Sequence, residues 1–353
     1  MKDEIAVGLI GYGMAGRVFH APVIHSVPDL RLKKIVERHG NHSKEKYPSV
    51  EIVRDVAELL RDNEIELIVV ATPNSSHFEF ARQSLIAGKH VVVDKPFTNS
   101  SAEAQELIDL AKAQNRIITV HHNRRWDGDF LTVRKLIDGI VLGRLAEYES
   151  HFDRFRSQVR SGAWREEEGE GSGIIFDLGS HLIDQAQVLF GLPGTITADV
   201  RVQRDMAKAV DNFELILDYD DLKVTLKATM LAREPGPRFL LYGTEGSYVK
   251  YGLDPQEEAL KQGHTPLETG WGEEPKDLWG RLNTQFGELH VEGVVETLPG
   301  CYQAFYQNVA DAIRGRAELA VKPEEARDTI RIIELAMQSS EEKRTLAWTE
   351  PPK

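Results

Sequence analysis

Over its first third the chain alternates short runs of consecutive apolar residues with stretches in which apolar positions recur every three or four residues. The runs at 5–10, 31–36, 66–71, 90–93 and 116–121 predict strands buried on both faces. Between them, Ala104, Leu107, Ile108 and Ala111 fall on one face of a helix within 102–112. Alternating strand and helix predicts a parallel sheet covered on both sides. Ligands of such sheets sit beyond the carboxyl ends of the strands. Those ends read Gly11 onward, Glu37, Ala71-Thr72-Pro73-Asn74, Asp94-Lys95-Pro96 and His121-His122-Asn123.

After residue 123 the pattern changes. Helical spacing near 128–138 precedes the segment 145–156, and a helix follows near 174–190. Strand-like runs then come in succession at 196–203, 212–219, 222–231, 238–243 and 247–251. In one of them Val224, Leu226 and Ala228 alternate with Thr225 and Lys227. Strands without intervening helices predict an antiparallel or mixed sheet. The segment 253–300, rich in Gly, Pro and charge, reads as irregular. Two helices are expected near 301–314 and 323–339, with Ala326, Ile330, Ile333 and Met337 on one face of the second. Pro323 stands near its start, where proline is tolerated. The fold class is therefore α/β, with residues 1–122 as one domain and 123–353 as a second.

A length of 353 residues suits two domains with ample core. The net charge of −13, without a long basic run, argues against nucleic acid and anionic membrane surfaces as partners. Cys301 is the only cysteine, so no intrachain disulfide forms and no zinc-ligand spacing exists. Lys2, Asp3 and Glu4 precede a strand rather than a signal peptide's apolar stretch, and no apolar run reaches membrane-spanning length. The expected location is the cytoplasm.

Three constellations carry chemistry. The first strand runs into Gly11-Tyr12-Gly13-Met14-Ala15-Gly16, and Glu37 follows twenty-one residues past Gly16. Strand, glycine turn, helix and acid together form the dinucleotide fingerprint of a Rossmann domain, a doubly wound parallel sheet. The helix start offers free N–H groups and a positive dipole end to the pyrophosphate. Glu37 stands where a carboxylate accepts from the ribose 2′-OH, which favours NAD, whereas Arg38 and His39 could clamp the 2′-phosphate of NADP. The second is Asp177-Leu178-Gly179-Ser180-His181-Leu182-Ile183-Asp184. Asp177, His181 and Asp184 share one helical stripe amid apolar neighbours. Burying such groups costs several kcal/mol unless they are paired or face a polar cavity, roughly. They read as a catalytic histidine with flanking acids. The other readings are a helix cap at Asp177 with a paired Asp184, or a metal site, for which no further acid or histidine completes the shell. The third is Lys95, ending a buried strand where the cofactor should lie. It can orient an oxygen and stabilise negative charge there. Together these parts suggest hydride transfer to a nicotinamide from a carbon bearing a hydroxyl, with His181 as base, Lys95 on the oxygen and Asp177 positioning them.

These motifs resemble the Gfo/Idh/MocA oxidoreductases over nearly the whole length: 11–16, Ala71-Thr72-Pro73-Asn74 with His77, Asp94-Lys95-Pro96, and Asp177 through Asp184. The family usually has Glu where Asp94 stands. The resemblance implies Lys95, Asp177 and His181 as the catalytic set. Thr72, Pro73, Asn74, His77, Lys95 and Asn123 join the fingerprint, Glu37 and Arg38 in the expected cofactor site. His122 through Asp127, Ser150 through Arg154 and Tyr248 through Glu257 are similar to bacterial scyllo-inositol dehydrogenases. That similarity implies Arg124, Arg154 and Asp184 near a cyclic polyol or sugar. Structural duties are the alternative: Arg124 and Arg125 tying the domains or touching cofactor, Arg154 a solvated strand residue. A homodimer or homotetramer through the C-terminal sheet is also implied. Scyllo-inositol oxidised to the inosose is the leading activity. The others are an aldose dehydrogenase, an NAD-dependent glycosidase, or a cofactor-binding regulator without catalysis.

Overall fold

The computed structural model describes residues 4–159, 162 and 166–351. Its first sheet is built from β1 (Ile5–Ile10), β2 (Leu30–Val36), β3 (Glu51–Val53), β4 (Ile65–Val70), β5 (His90–Val93) and β6 (Ile118–Val120). All pairings are parallel, in the order β3-β2-β1-β4-β5-β6. This is the doubly wound α/β sheet expected of the alternating pattern. The order reverses at β1, and the pairs Ile10–Val36, Ile10–Val70, Val70–Val93 and Val93–Val120 bring the strand ends level. Gly11, Glu37, Ala71, Asp94 and His121 therefore stand side by side along one edge.

The crossovers carry α1 (Ala21–His25), α2 (Ser43–Lys46), α3 (Val56–Leu60), α4 (His77–Ile86) and α5 (Ser101–Ala113). Ser100 caps α5 by accepting from Glu103 N, and the four residues of its predicted apolar face are all buried. A π-helical turn, Ala15–His20, precedes α1 and directly follows the glycine turn. β3 escapes sequence reading because it is three residues long, lies at the sheet edge and buries only Val53 fully.

The second sheet has nine strands: β7 (Leu145–Asp153), β8 (Thr195–Arg201), β9 (Asn212–Tyr219), β10 (Leu222–Thr229), β11 (Phe239–Gly243), β12 (Gly246–Lys250), β13 (Gly280–Phe286), β14 (Leu289–Val295) and β15 (Leu346–Ala347). Their order is β14-β13-β12-β11-β7-β10-β9-β8-β15, parallel only between β7 and β10. It is a mixed sheet, as the succession of strands predicts. The helices of this half are α6 (Gly128–Asp138), α7 (Ser180–Phe190), α8 (Gln256–Gln262), α9 (Gln303–Ile313) and α10 (Pro323–Glu342).

The segment 253–300 is not irregular. It holds α8 and the β13–β14 hairpin, whose strands pair from Gly280–Val295 to Phe286–Leu289. β14 is exposed almost throughout, so backbone pairing rather than apolar burial makes it a strand. The 174–190 helix divides into a π-helical turn, Ile175–Gly179, and α7. α10 packs against α5 and β6 on one side and α7 and β8 on the other. Glu334 accepts from the N–H and the hydroxyl of Ser101, both at 2.7 Å, which pins α10 to the start of α5. The last helix thus fixes the two sheets relative to each other. Of its predicted face, Ala326, Ile330 and Ile333 are buried and Met337 is exposed.

Candidate functional site

The glycine turn is built for a close-approaching ligand. Gly11 has φ +99°, and a Cβ there would lie 2.7 Å from the carbonyl oxygen of Ala71. A Cβ on Gly16 would come within 2.1 Å of the Gly11 carbonyl oxygen, so only glycine lets the helix start this close. Gly13 has nothing within 4 Å of its would-be Cβ. Open backbone at Gly13, flanked by Tyr12 and the exposed Met14 and followed by Ala15 at a helix start, fits a dinucleotide pyrophosphate.

Glu37 has a different occupation from the one expected. Its side chain is turned inward, accepting from His42 N at 2.7 Å, Ser43 N at 3.2 Å and the Ser43 hydroxyl at 2.8 Å. Burial pushes its carboxyl up, but these hydrogen bonds outweigh it and hold the group below its ordinary value. Glu37 therefore organises the loop into α2. Arg54 braces the same loop through the carbonyls of Glu37 and Gly40 and the side chain of Asn41. Arg38 is exposed and makes no side-chain hydrogen bond or ion pair among the described residues.

His77 and Asn74 also carry internal duties. The His77 ring is buried between the carbonyl oxygens of Pro96 (2.8 Å) and Thr72 (2.9 Å), joining the loops after β4 and β5. The Thr72 hydroxyl accepts from Ser76. Pro73 leads into the short turn that carries Asn74, whose amide donates to the Gly171 carbonyl at 2.8 Å and reaches across to the second half of the chain. Its Oδ1 is buried without a partner.

The reacting centre lies where β5 faces the turn before α7. The Lys95–Pro96 bond is cis. Lys95 Nζ donates to the Asp177 carboxylate at 2.8 Å and to its backbone carbonyl at 2.6 Å. Arg154 Nη1 stands 3.9 Å from the other carboxylate oxygen. His181 is 5 % exposed, and its Nδ1 is buried without a hydrogen-bond partner. Burial first, then the positive charges of Lys95 and Arg124, hold the imidazole well below its ordinary pKa. It is neutral at neutral pH and can accept a proton. His122 lies 6.4 Å away ring to ring, and Phe152 6.3 Å. Buried Asn123 begins the turn after β6. Lys95, Asp177, His181 and Arg154 are thus brought together.

Asp184 and Arg124 are placed otherwise. Both Asp184 oxygens accept from Arg125, at 2.6 and 2.9 Å, and His122 Nδ1 stands 3.8 Å from one of them. Arg125 also bonds the Ala320 carbonyl and Glu325, so this buried pair ties α7 to the C-terminal helices. Asp184 follows His181 by three residues on α7, and its pairing with Arg125 is the structural alternative that the sequence left open. Arg124 stacks 4.8 Å over Phe152 and is paired with Asp127 and Glu257. Glu257, the partner of Arg124, comes from α8 in the segment read as irregular. Its carboxyl is lowered to about 2, because Arg124 and Lys261 outweigh its burial. Phe152 and His122 are likewise site residues to which sequence alone gave no role. Glu257 was signalled only by its place in the Tyr248–Glu257 motif. Among the described residues, the donors that converge closely enough to share an ion are His20, Asp94 and His121, not Asp177, His181 and Asp184.

Comparison with known proteins agrees with this architecture. Residues 5–122 match the Gfo/Idh/MocA oxidoreductase family's NAD-binding Rossmann fold, and 134–348 its C-terminal alpha/beta domain. The chain is 47 % identical over 346 residues to the uncharacterized oxidoreductase YdgJ of Escherichia coli, covering 98 % of this chain and 99 % of that one. It is 40 % identical over 344 residues to the scyllo-inositol 2-dehydrogenase (NADP(+)) IolW of Bacillus subtilis, covering 98 % and 96 %. The solved structure of the putative oxidoreductase yvaA from Bacillus subtilis superposes with a TM-score of 0.96 at 39 % identity, covering 99 % of each chain. No helix among the described residues is long and apolar enough to cross a membrane. The chain belongs to the Gfo/Idh/MocA family and is an NAD(P)-dependent oxidoreductase.

Proposed function

We propose that this member of the Gfo/Idh/MocA family oxidises a ring hydroxyl of a cyclic polyol or sugar, with scyllo-inositol, giving the inosose, as the leading substrate. The observation that carries this is the Lys95–Asp177 contact beside a buried, neutral His181. When bound, the nicotinamide supplies the hydride acceptor. The chain does the rest. Lys95 donates to the substrate oxygen and favours the charge that grows on it as its proton leaves. Asp177 holds the ammonium in place. His181 takes the hydroxyl proton, the C–H electron pair leaves as hydride, and the carbon becomes a carbonyl. In reduction each transfer runs backward.

A polyol offers many hydroxyls that need matched donors and acceptors. Arg154 beside Asp177 supplies a donor, and the part-buried Arg124–Glu257 pair near Phe152 offers both kinds. The likeness to a scyllo-inositol dehydrogenase over the whole chain points the same way. With Glu37 turned inward and Arg38 free at the surface, the loop after β2 suits NADP better than the sequence suggested. NAD remains compatible with the fold.

The test is absorbance of the reduced nicotinamide, with NAD and NADP, across scyllo-inositol, myo-inositol, glucose and other aldoses. Turnover of scyllo-inositol supports the proposal. Turnover of an aldose alone keeps the mechanism and replaces the substrate. Silence across the panel with coenzyme still bound would sink the dehydrogenase reading in favour of a glycosidase or a regulator.

A further inference from the structure

Behind Lys95, away from the cleft, three buried side chains meet from three elements. His20 ends the π-helical turn that follows the fingerprint, Asp94 follows β5 and His121 follows β6. His20 Nε2 is 3.5 Å from Asp94 Oδ1, and His121 Nδ1 is 3.9 Å from the same oxygen. On its other side His20 Nδ1 lies 2.6 Å from the hydroxyl of Tyr306, a fully buried residue of α9. Asp94 Oδ1 accepts the backbone N–H of Lys95 at 2.9 Å.

The proton on His20 decides what this cluster is. If Nδ1 alone carried it, the Nε2 lone pair would face a carboxylate oxygen in a dry interior, a repulsion that an intervening cation or a second ring proton would have to relieve. If the Tyr306 hydroxyl donates to Nδ1, the proton sits on Nε2 and points at Asp94. The Nε2 proton then points at the carboxylate oxygen 3.5 Å away, an electrostatic contact longer than a hydrogen bond, while His121 Nε2 has no partner. The neighbouring charges favour this second arrangement. Asp94 as a bare anion balances the nearby Lys95 ammonium, whereas a divalent ion on Asp94 would place positive charge against it. His121 is neutral, burial having pulled it to about 4. Burial pushes the Asp94 carboxyl up, and its contacts with His121 and His20 outweigh this, so it stays ionised.

We propose that Tyr306 and His20 are positioning residues for Lys95. Tyr306 O–H donates to His20, His20 Nε2–H faces Asp94, and Asp94 fixes the backbone of the lysine. The aspartate matters, because its short side chain reaches the N–H of the very next residue. The path joins α9, the turn beneath the pyrophosphate site and the lysine at the reacting centre. It rests on the proposed role of Lys95, so two readouts need no substrate.

The first readout is the His20 tautomer, from the ¹⁵N shifts of its ring nitrogens in histidine-labelled protein. The proposal expects Nε2–H with Nδ1 as acceptor, and loss of that preference in Tyr306→Phe. A Nδ1–H tautomer, or a stoichiometric metal ion in the purified protein, overturns it. The second is the rate of reductive methylation of each lysine, read by mass spectrometry. In Tyr306→Phe, and in His20→Asn should the first variant fold poorly, the rate at Lys95 shifts while that at Lys89 holds. An unchanged Lys95 rate in a folded variant overturns the proposal. With a substrate in hand, Tyr306→Phe should lower kcat roughly tenfold to a hundredfold while coenzyme affinity and KM move by about twofold or less. A rise in KM alone would assign Tyr306 to binding instead.

Discussion

At the scale of single residues, His181 and Arg38 make separable predictions. His181→Ala should leave coenzyme affinity near wild type and lower turnover by on the order of a hundredfold or more. Equal turnover would remove His181 from the base role. The pH dependence has a definite sign. The active form is the neutral imidazole, and burial with Lys95 and Arg124 nearby depresses its pKa. Activity should therefore hold as pH falls through the ordinary histidine range and fail only at more acid pH. An acid limb centred at an ordinary histidine value would mean the ring is solvated in the working enzyme. Arg38→Ala should weaken NADP much more than NAD, because only NADP carries the phosphate that a free guanidinium clamps. Parallel loss for both coenzymes, measured by fluorescence titration, would remove Arg38 from that contact.

At the scale of elements, the inward hydrogen bonds of Glu37 predict a contribution to stability. Its carboxylate satisfies two backbone N–H groups at the start of α2. Glu37→Ala should cost about 1–2 kcal/mol in denaturant unfolding, as loss of a capping acceptor does. Its folded-state pKa is depressed. The contribution is thus present above the unfolded-state pKa and is lost as pH falls through the folded one. A midpoint unmoved at neutral pH would return Glu37 to the ribose. This residue also shows how far the sequence could be read. The fingerprint placed Glu37 at the end of β2 correctly, because strand ends follow from apolar runs. The direction of its side chain depends on His42 and Ser43, whose loop has no periodicity. The same division holds elsewhere. Lys95, Asp177 and His181 were legible because buried polar groups stand out in apolar runs. Of the two readings open for Asp184, the structure displays the pairing, with Arg125 as the partner, which no spacing in the sequence could name. α8 and the β13–β14 hairpin were missed because backbone pairing and short amphipathic turns leave weak apolar signals.

At the scale of the molecule, the nine-stranded sheet leaves one face for a partner. Tyr148, Ser150 and Phe152 of β7 are buried beneath the helices, and Glu147, Glu149, His151 and Asp153 point the other way. The pairing extends that outer face into a row: Ile216, Thr225, Glu149, Leu240, Val249, Arg281 and Val294. Leu240 and Val249 stand side by side in it, between the charges of Glu149 and Arg281. Acids and lysines also interleave, with Lys227 near Glu149 and Glu214 and Lys223 near Glu147. We propose that two copies pack through this face, since a two-fold axis can set the acids of one row over the lysines of the other and Leu240 and Val249 against their counterparts. The wild-type chain should then sediment as a dimer or tetramer. Leu240→Asp should yield a monomer that keeps its secondary structure, because Leu240 is only half-buried within its own chain. A monomeric wild type, or a Leu240→Asp protein of unchanged mass, would rule this face out. The coenzyme's fingerprint turn lies on the first sheet, away from this face, so dissociation should leave coenzyme binding intact. If it does not, the partner supports the site through β7, which carries Phe152 beneath His181 and runs on to Arg154 beside Asp177.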